Sequence, residues 1–250
     1  MTTPRISVII PVYNADRFIA EAIESVLVQQ PAPVDIICVD DGSTDGSAAV
    51  VQSFGAAVRY VRQENRGPAA ARNAAFPYVT GDFVAFLDAD DVYPPEKFAR
   101  QLAYFDADPT LDIVFGKAEY VFMDGSQPER YHFPDGNQTV WNILLGAGLI
   151  RSAVFGRIGL FDETLWMGED LDWYNRAKEQ GLRIRTVDER LLYYRQHKTN
   201  MTRDLDTVKH TMFKTLKQSL DRRRAQSEEV RQLPTFVQLS QPTPTPQNPV

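Results

Sequence analysis

A chain of 250 residues that is 43% hydrophobic and 24% charged has the apolar content for a sizeable core, and it is not the composition of a disordered protein. Its formal net charge of -6 argues against a nucleic-acid binder, which carries a basic footprint, but leaves room for a phosphorylated small ligand beside a local cation. The single cysteine, Cys38, excludes an intrachain disulfide and every multi-cysteine zinc motif, and within VDIICVD it reads as a small buried hydrophobe. The start has no signal-peptide layout, and no run reaches the roughly 18 apolar residues of a membrane span. A cytoplasmic location is therefore expected, with the inner face of the membrane left open.

Ile6–Val12 reads as a buried strand, with Pro11 near its end where a lost ladder donor is tolerable. Asn14 or Asp16 is placed to cap the next helix, in which Phe18, Ala22, Val26 and Gln29 repeat at helical spacing. A second strand, 34–39, runs into Asp40-Asp41-Gly42-Ser43-Thr44-Asp45 and a helix around 46–54. A third strand at 58–61, a helix from Pro68 to Tyr78 and a fourth strand at 83–87 follow, and Pro94-Pro95 opens another helix. Such units predict an α/β fold with a mostly parallel sheet covered on both faces, whose ligands collect beyond the carboxyl ends of the strands.

The middle is less regular. Strands are expected at 111–115 and 118–123, a turn at Asp135-Gly136-Asn137 and a short helical piece at 140–145. A helix over 169–179 ends at Gly181, and two short strands follow at 184–187 and 191–194. Residues 205–220 form an amphipathic helix through Leu205, Val208, Met212, Leu216 and Leu220, ahead of Arg222-Arg223-Arg224. One domain over residues 3–220 is expected, and the polar, proline-rich segment 221–250 is expected to be disordered.

The chemistry concentrates at the strand ends. In FVAFLDADDVYPP a strand delivers Asp88 and Asp90 around Ala89; if the extended geometry persists, both carboxylates share a face about 6.8 Å apart and can address one ligand through a divalent cation. Mg2+ or Mn2+ suits such oxygen donors, whereas the plain alternative is a solvated acidic loop. Asp40 and Asp41 are suited to a nucleoside, by accepting from an imide N–H or a ribose hydroxyl, or simply to an Asx-type turn. Arg66 and Arg72 are candidates for a phosphate or for a strand-end aspartate. There is no G-x-G-x-x-G after the first strand and no G-x-x-x-x-G-K-[ST], which counts against a nicotinamide dehydrogenase and an ATPase.

SVIIPVYN (7–14), VDDGSTDGS (39–47), NRGPAAARN (65–73) and FLDADD (86–91), followed by WMGEDLDWYNR (166–176) and YYRQHKTN (193–200), resemble glycosyltransferase family 2, an inverting group with the GT-A fold. The resemblance implies a nucleotide-sugar-binding half (3–115), an acceptor and catalytic half (116–204) and a C-terminal helix (205–220). It implies that Pro11, Val12 and Tyr13 line the base pocket, that Asp41 binds the base, and that Arg72, Asp88 and Ala89 sit at the donor. It places Asp90 on the cation that bridges the diphosphate, with His197 as a second metal-ligand candidate. Asp170 corresponds to the catalytic base, and Glu169 to a residue that orients a neighbour or meets acceptor hydroxyls.

The implied reaction is inverting transfer of a single sugar from a nucleoside-diphosphate-sugar, with uridine diphosphate the first choice of carrier, to a saccharide or lipid-linked acceptor. A sugar-phosphate nucleotidyltransferase and a non-catalytic nucleotide-sugar or carbohydrate-binding module are the alternatives. On the acceptor side, Trp166, Trp141, Tyr131, His132 and Phe133 are candidate stacking surfaces or else core and loop anchors, and Gly146-Ala147-Gly148 either lets an acceptor approach the backbone at Gly148 or forms a tight structural turn. Residues 205–224 are a candidate for peripheral membrane contact or a dimer.

Overall fold

The computed structural model describes residues 4–123, 125, 138–140, 144–201 and 205–225. Its strands are β1 (Ile6–Val12), β2 (Asp35–Asp41), β3 (Arg59–Gln63), β4 (Phe83–Phe86), β5 (Ile113–Phe122), β6 (Thr139–Val140), β7 (Gly148–Arg151) and β8 (Ile184–Gln196). They form one sheet in the order β3-β2-β1-β4-β7-β5-β6, with β8 paired to β5. The four strands from β3 to β4 are parallel; β7 runs antiparallel to both β4 and β5, while β8 is parallel to β5.

The apolar runs are continuous because both faces of the sheet are covered. Val8, Ile10, Val12 and Cys38 face one core with α1 (Ile19–Leu27), α2 (Ser47–Ser53) and α4 (Lys97–Ala107). Ile9, Ile37 and Val39 face the other with α3 (Pro68–Ala75), α5 (Ala153–Ile158) and α6 (Glu169–Glu179). Cys38 is fully buried and its thiol is held above its ordinary pKa by that burial, as its apolar setting implied. Strands β2 and β3 lie on one side of β1 and β4 on the other. The loops leaving β1 and β4 therefore part at a topological switch point, where such sheets open a ligand crevice.

Several elements differ from the sequence reading. The pairs of short strands expected at 111–123 and 184–194 are single long strands, β5 and β8, which pair through two register shifts around Lys117. Gly116, between the two strands expected at 111–115 and 118–123, permits close approach: a Cβ there would lie 2.6 Å from the Glu189 carbonyl. Asn14 and Asp16 do not cap α1, which starts at Ile19 without a side-chain cap. Residues 145–147 form a 3-10 turn, and helix α4 begins at Lys97, after left-handed Glu96. The C-terminal helix α7 (Leu205–Ala225) continues five residues past Leu220. Arg222 ties it down, pairing at 2.8 Å with both Asp172 and Glu179 of α6. The expected turn at 135–137 and the segment 226–250 lie outside the described residues.

Candidate active site

The loops after β1 and β2 are laced together. Asn14 takes left-handed backbone (φ 48°), donates its N–H to Ser43 Oγ at 3.1 Å and accepts from the Thr44 N–H at 2.8 Å. The Ala15 N–H donates to Ser47 Oγ at 2.8 Å, and Asp16 accepts from the Gly46 N–H. Asn14 and Asp16 thus satisfy the neighbouring loop. Pro11 is half-buried at the end of β1, the Val12 side chain is committed to the core, and Tyr13 stands exposed. Only the backbone of Val12 is available to a base pocket.

Asp40 accepts from the Ser43 N–H at 2.8 Å and the Tyr60 hydroxyl at 2.6 Å. Asp41 accepts from Gln63 Nε2 at 2.7 Å and from the backbone N–H groups of Arg66 and Gly67 at 2.9 and 2.8 Å. A carboxylate has about four acceptor directions, so Asp41 is fixed in place with one to spare.

After β4 the extended geometry does not persist. Ladder pairing ends where the Leu87 N–H reaches the Ile9 carbonyl, and the chain then turns, with the Asp91 N–H on the Asp88 carbonyl at 3.0 Å. The turn sends the two carboxylates to different partners. Asp88 Oδ1 accepts from Arg72 at 2.7 Å, whereas Asp90 Oδ2 accepts from Asn200 Nδ2 at 3.2 Å and lies 3.0 Å from His197 Nε2. The third acid, Asp91, is buried and holds the Arg195 N–H at 2.9 Å. Burial first, then the charges of Asp90 and Asp88, push its carboxyl well above the usual range.

Arg72 is the pivot. It lies 5% exposed in α3, over the Phe161 ring, and bridges Asp88 to Glu169 at the start of α6. Burial works against its charge, but Asp88, Glu169 and Asp170 outweigh it and hold the guanidinium above its ordinary pKa. Arg66 instead pairs with Glu163 at the surface.

Helix α6 is entered through Gly168, whose left-handed backbone (φ 78°) and tight fit under α7 both call for glycine: a Cβ there would lie 2.5 Å from Thr211 Cγ2. Glu169 is buried on Arg72, and Asp170 is half-buried and accepts from the Leu171 N–H at 2.7 Å. Burial and then the Glu169 charge raise the Asp170 carboxyl to about 7, against the opposing pull of Arg72. A group poised there is suited to proton transfer near neutrality. Just before it, Trp166 is 57% exposed and lies against Gly67, where an added Cβ would come within 3.0 Å of the indole.

His197 is buried and stacked on Phe18, 4.5 Å between ring centroids. Its Nε2 lies 3.0 Å from Asp90 Oδ2, and its Nδ1 lies 2.8 Å from the Thr199 hydroxyl, which can donate or accept. Arg195 reaches the Asp90 carbonyl, Glu21 and the Phe18 carbonyl, clamping the end of β8 to both the acidic turn and α1. The sequence reading placed Arg195 and Asn200 in a loop over the donor side without giving either a contact, and it missed Glu21 and Phe18. The RQHKTN run was the visible signal for the first two, and nothing local pointed to the others.

Both hydrogen bonds to Asp90 go to Oδ2, leaving Oδ1 for a ligand; a carboxylate suits Mn2+ or Mg2+, and a neutral imidazole beside it suits Mn2+. Among the described residues no group of three or more His, Cys, Asp and Glu forms a metal cage, so further ligands would have to come from donor oxygens and water. Gly148 is not where an acceptor could approach. It opens β7 in the interior, a Cβ there would lie 2.6 Å from the Phe115 ring, and its carbonyl accepts from the buried Lys97 Nζ at 3.0 Å. Tyr131, His132, Phe133 and Trp141 lie outside the described residues.

A mostly parallel sheet covered on both faces, with an acidic turn after β4 that an arginine joins to a second acidic pair, is an α/β domain of the GT-A class. The sequence pattern of "Glycosyl transferase family 2" matches residues 7–167, and the chain belongs to that family. It is 33% identical to an uncharacterised glycosyltransferase of Nostoc sp., over 78% of this chain and 66% of that one. It is 32% identical to one of Rickettsia prowazekii, over 69% and 58%. The chain spans from about a quarter to two thirds of the length of the curated relatives it matches. In fold it is similar to S. aureus TarS in complex with UDP, with a TM-score of 0.65 and 21% identity over 87% of this chain and 64% of that one. It is also similar to the mannosyltransferase PcManGT of Pyrobaculum calidifontis in complex with GDP-Man and Mn2+, with a TM-score of 0.63 and 21% identity over 92% and 66%.

Proposed function

We propose that the chain transfers a single sugar, with inversion, from a nucleoside-diphosphate-sugar to a hydroxyl of a saccharide or lipid-linked acceptor. The observation that carries this reading is the Arg72 bridge, which joins the acidic turn after β4 to the Glu169-Asp170 helix start through one buried guanidinium. The donor side and a carboxyl poised near 7 are thereby held together. Family membership supports the reaction class, and TarS with UDP and PcManGT with GDP-Man support a nucleoside-diphosphate donor. We favour uridine diphosphate as the carrier, because Asp41 keeps one acceptor direction for an imide N–H.

In this mechanism Asp170 takes the proton from the acceptor hydroxyl as its oxygen attacks the anomeric carbon from the face opposite the diphosphate. Arg72 holds Asp88 and Glu169 so that donor and base keep a fixed separation. Trp166 offers an exposed face on which a sugar ring can stack. Asp90 and His197 would hold a divalent cation, which when bound offsets the charge that develops on the departing nucleoside diphosphate. The test is a screen of nucleotide sugars with and without Mn2+, reading nucleoside diphosphate release. Release of pyrophosphate from a sugar phosphate and a nucleoside triphosphate would place the chain with nucleotidyltransferases instead, and no turnover of any donor would leave a binding module.

A further inference from the structure

Helix α7 packs with the wrong face inward for an ordinary surface helix. Its half-buried and buried side is Val208, Thr211, Thr215, Gln218, Ser219 and Arg222, largely small or polar. Ser219 donates to Glu179 Oε1 at 2.6 Å, and Arg222 pairs with Asp172 and Glu179. The apolar stripe points away from the domain: Met212, Leu216 and Leu220 at four-residue spacing are 37%, 43% and 37% exposed, and Phe213 beside them is 72% exposed. A ring that exposed on a helix already anchored through its polar side calls for a second apolar surface.

Charge says which one. In a chain of net charge -6, α7 carries six Lys and Arg against two Asp. Arg222 is committed to α6, but Lys209, Lys217 and Arg224 are exposed along the stripe. Two copies of this face would bring like charges together, whereas an anionic headgroup layer accepts the cations while its acyl boundary takes up Phe213 and the leucines. No helix among the described residues is long and apolar enough to cross a membrane, so the contact lies along the surface.

We propose that the outer face of α7 docks on an anionic lipid bilayer. The docking reading stands on α7 alone. Its consequence for the acceptor rests on the transferase reading: Thr211 covers Gly168, two residues before Asp170, so a docked α7 sets the base near the surface where a lipid-linked hydroxyl is presented.

The test is co-sedimentation of the full chain with vesicles of phosphatidylcholine alone and of phosphatidylcholine with phosphatidylglycerol, with mass measured in parallel by light scattering. The expected result is binding to the anionic vesicles only, weakened about tenfold or more by Phe213→Ser with Leu216→Ser, by Lys217→Glu with Arg224→Glu, and by raised salt. Both variant pairs should keep wild-type melting temperature and vesicle-free donor turnover, since these side chains point outward. If turnover is absent but vesicle binding behaves as stated, the transferase reading fails and the docking surface stands. Three results would overturn the docking: no anionic-vesicle binding, a dimer in light scattering that Phe213→Ser dissolves, or binding that emerges only after residues 226–250 are removed.

Discussion

Arg72 donates to Asp88 Oδ1 at 2.7 Å across 16 residues of sequence, with its other terminal nitrogen on Glu169, 97 residues away. This one guanidinium is where the two halves of the site meet, and most of the expected behaviour follows from it.

Replacing Arg72 with Met leaves Glu169 as a buried carboxylate without its cation. Breaking such a pair costs about 3–5 kcal/mol. The expected urea midpoint is well below wild type, with Arg72→Lys intermediate because an ammonium keeps the charge but not the two-pronged geometry. Midpoints equal to wild type for Arg72→Met would show that the bridge does not hold the site together.

The rate should follow the ionisation of Asp170. A base must be unprotonated, so kcat/KM is expected to rise with pH through about 7 and to level off above it. Stability should run the other way. The folded-state carboxyl sits above its unfolded value, so the fold binds more protons between about pH 4 and 7 and loses stability as pH rises through that window. Asp170→Asn lacks this loss and is expected to unfold at higher urea than wild type at pH 8, with the gap closing below pH 4. A gap that widens on acidification would contradict the assignment.

Metal should enter through Asp90. Chelation is expected to abolish transfer and Mn2+ to restore it, while Asp90→Ala should lose metal-dependent donor binding measured by calorimetry. His197→Ala should raise the Mn2+ needed for half-maximal rate by about 10–100-fold. Full activity in a chelator would remove the cation from the mechanism.

Gly67→Ala tests the contact with Trp166. Backbone at φ 89° and an indole within 3.0 Å of the new methyl leave no room, so Trp166 must shift. Because the Gly67 N–H also holds Asp41, this variant is expected to raise KM for donor and acceptor alike, whereas Trp166→Ala should raise the acceptor KM alone; a donor KM raised by Trp166→Ala would take Trp166 off the acceptor side.

The parallel half of the fold was legible because strands buried on both faces are unbroken apolar runs, and Ile6–Val12 and the helix at 169–179 fall as read. The long strands β5 and β8 were not, since Gly116 and the polar 188–190 stretch look like breaks when the partner strand is unseen. Within the site, the acidic loops and Arg72 stood out in the sequence. The turn that parts Asp88 from Asp90 did not, because a linear pattern carries no record of where ladder pairing stops. Nor could it bring Phe18 and Glu21 to His197 and Arg195 across more than 170 residues. Of the two readings of Gly146-Ala147-Gly148, an acceptor approach and a structural turn, the structure has the turn, with Gly148 packed against Phe115. The stripe on α7 was visible as a period, while the inversion of its packing became apparent only beside α6.

The most direct measurement compares wild type with Asp170→Asn, pairing product formation with calorimetric donor binding at pH 8 in Mn2+. Turnover should fall by about 10²–10⁴-fold while the donor Kd stays within twofold. Undiminished turnover in the asparagine variant would show that another group takes the proton.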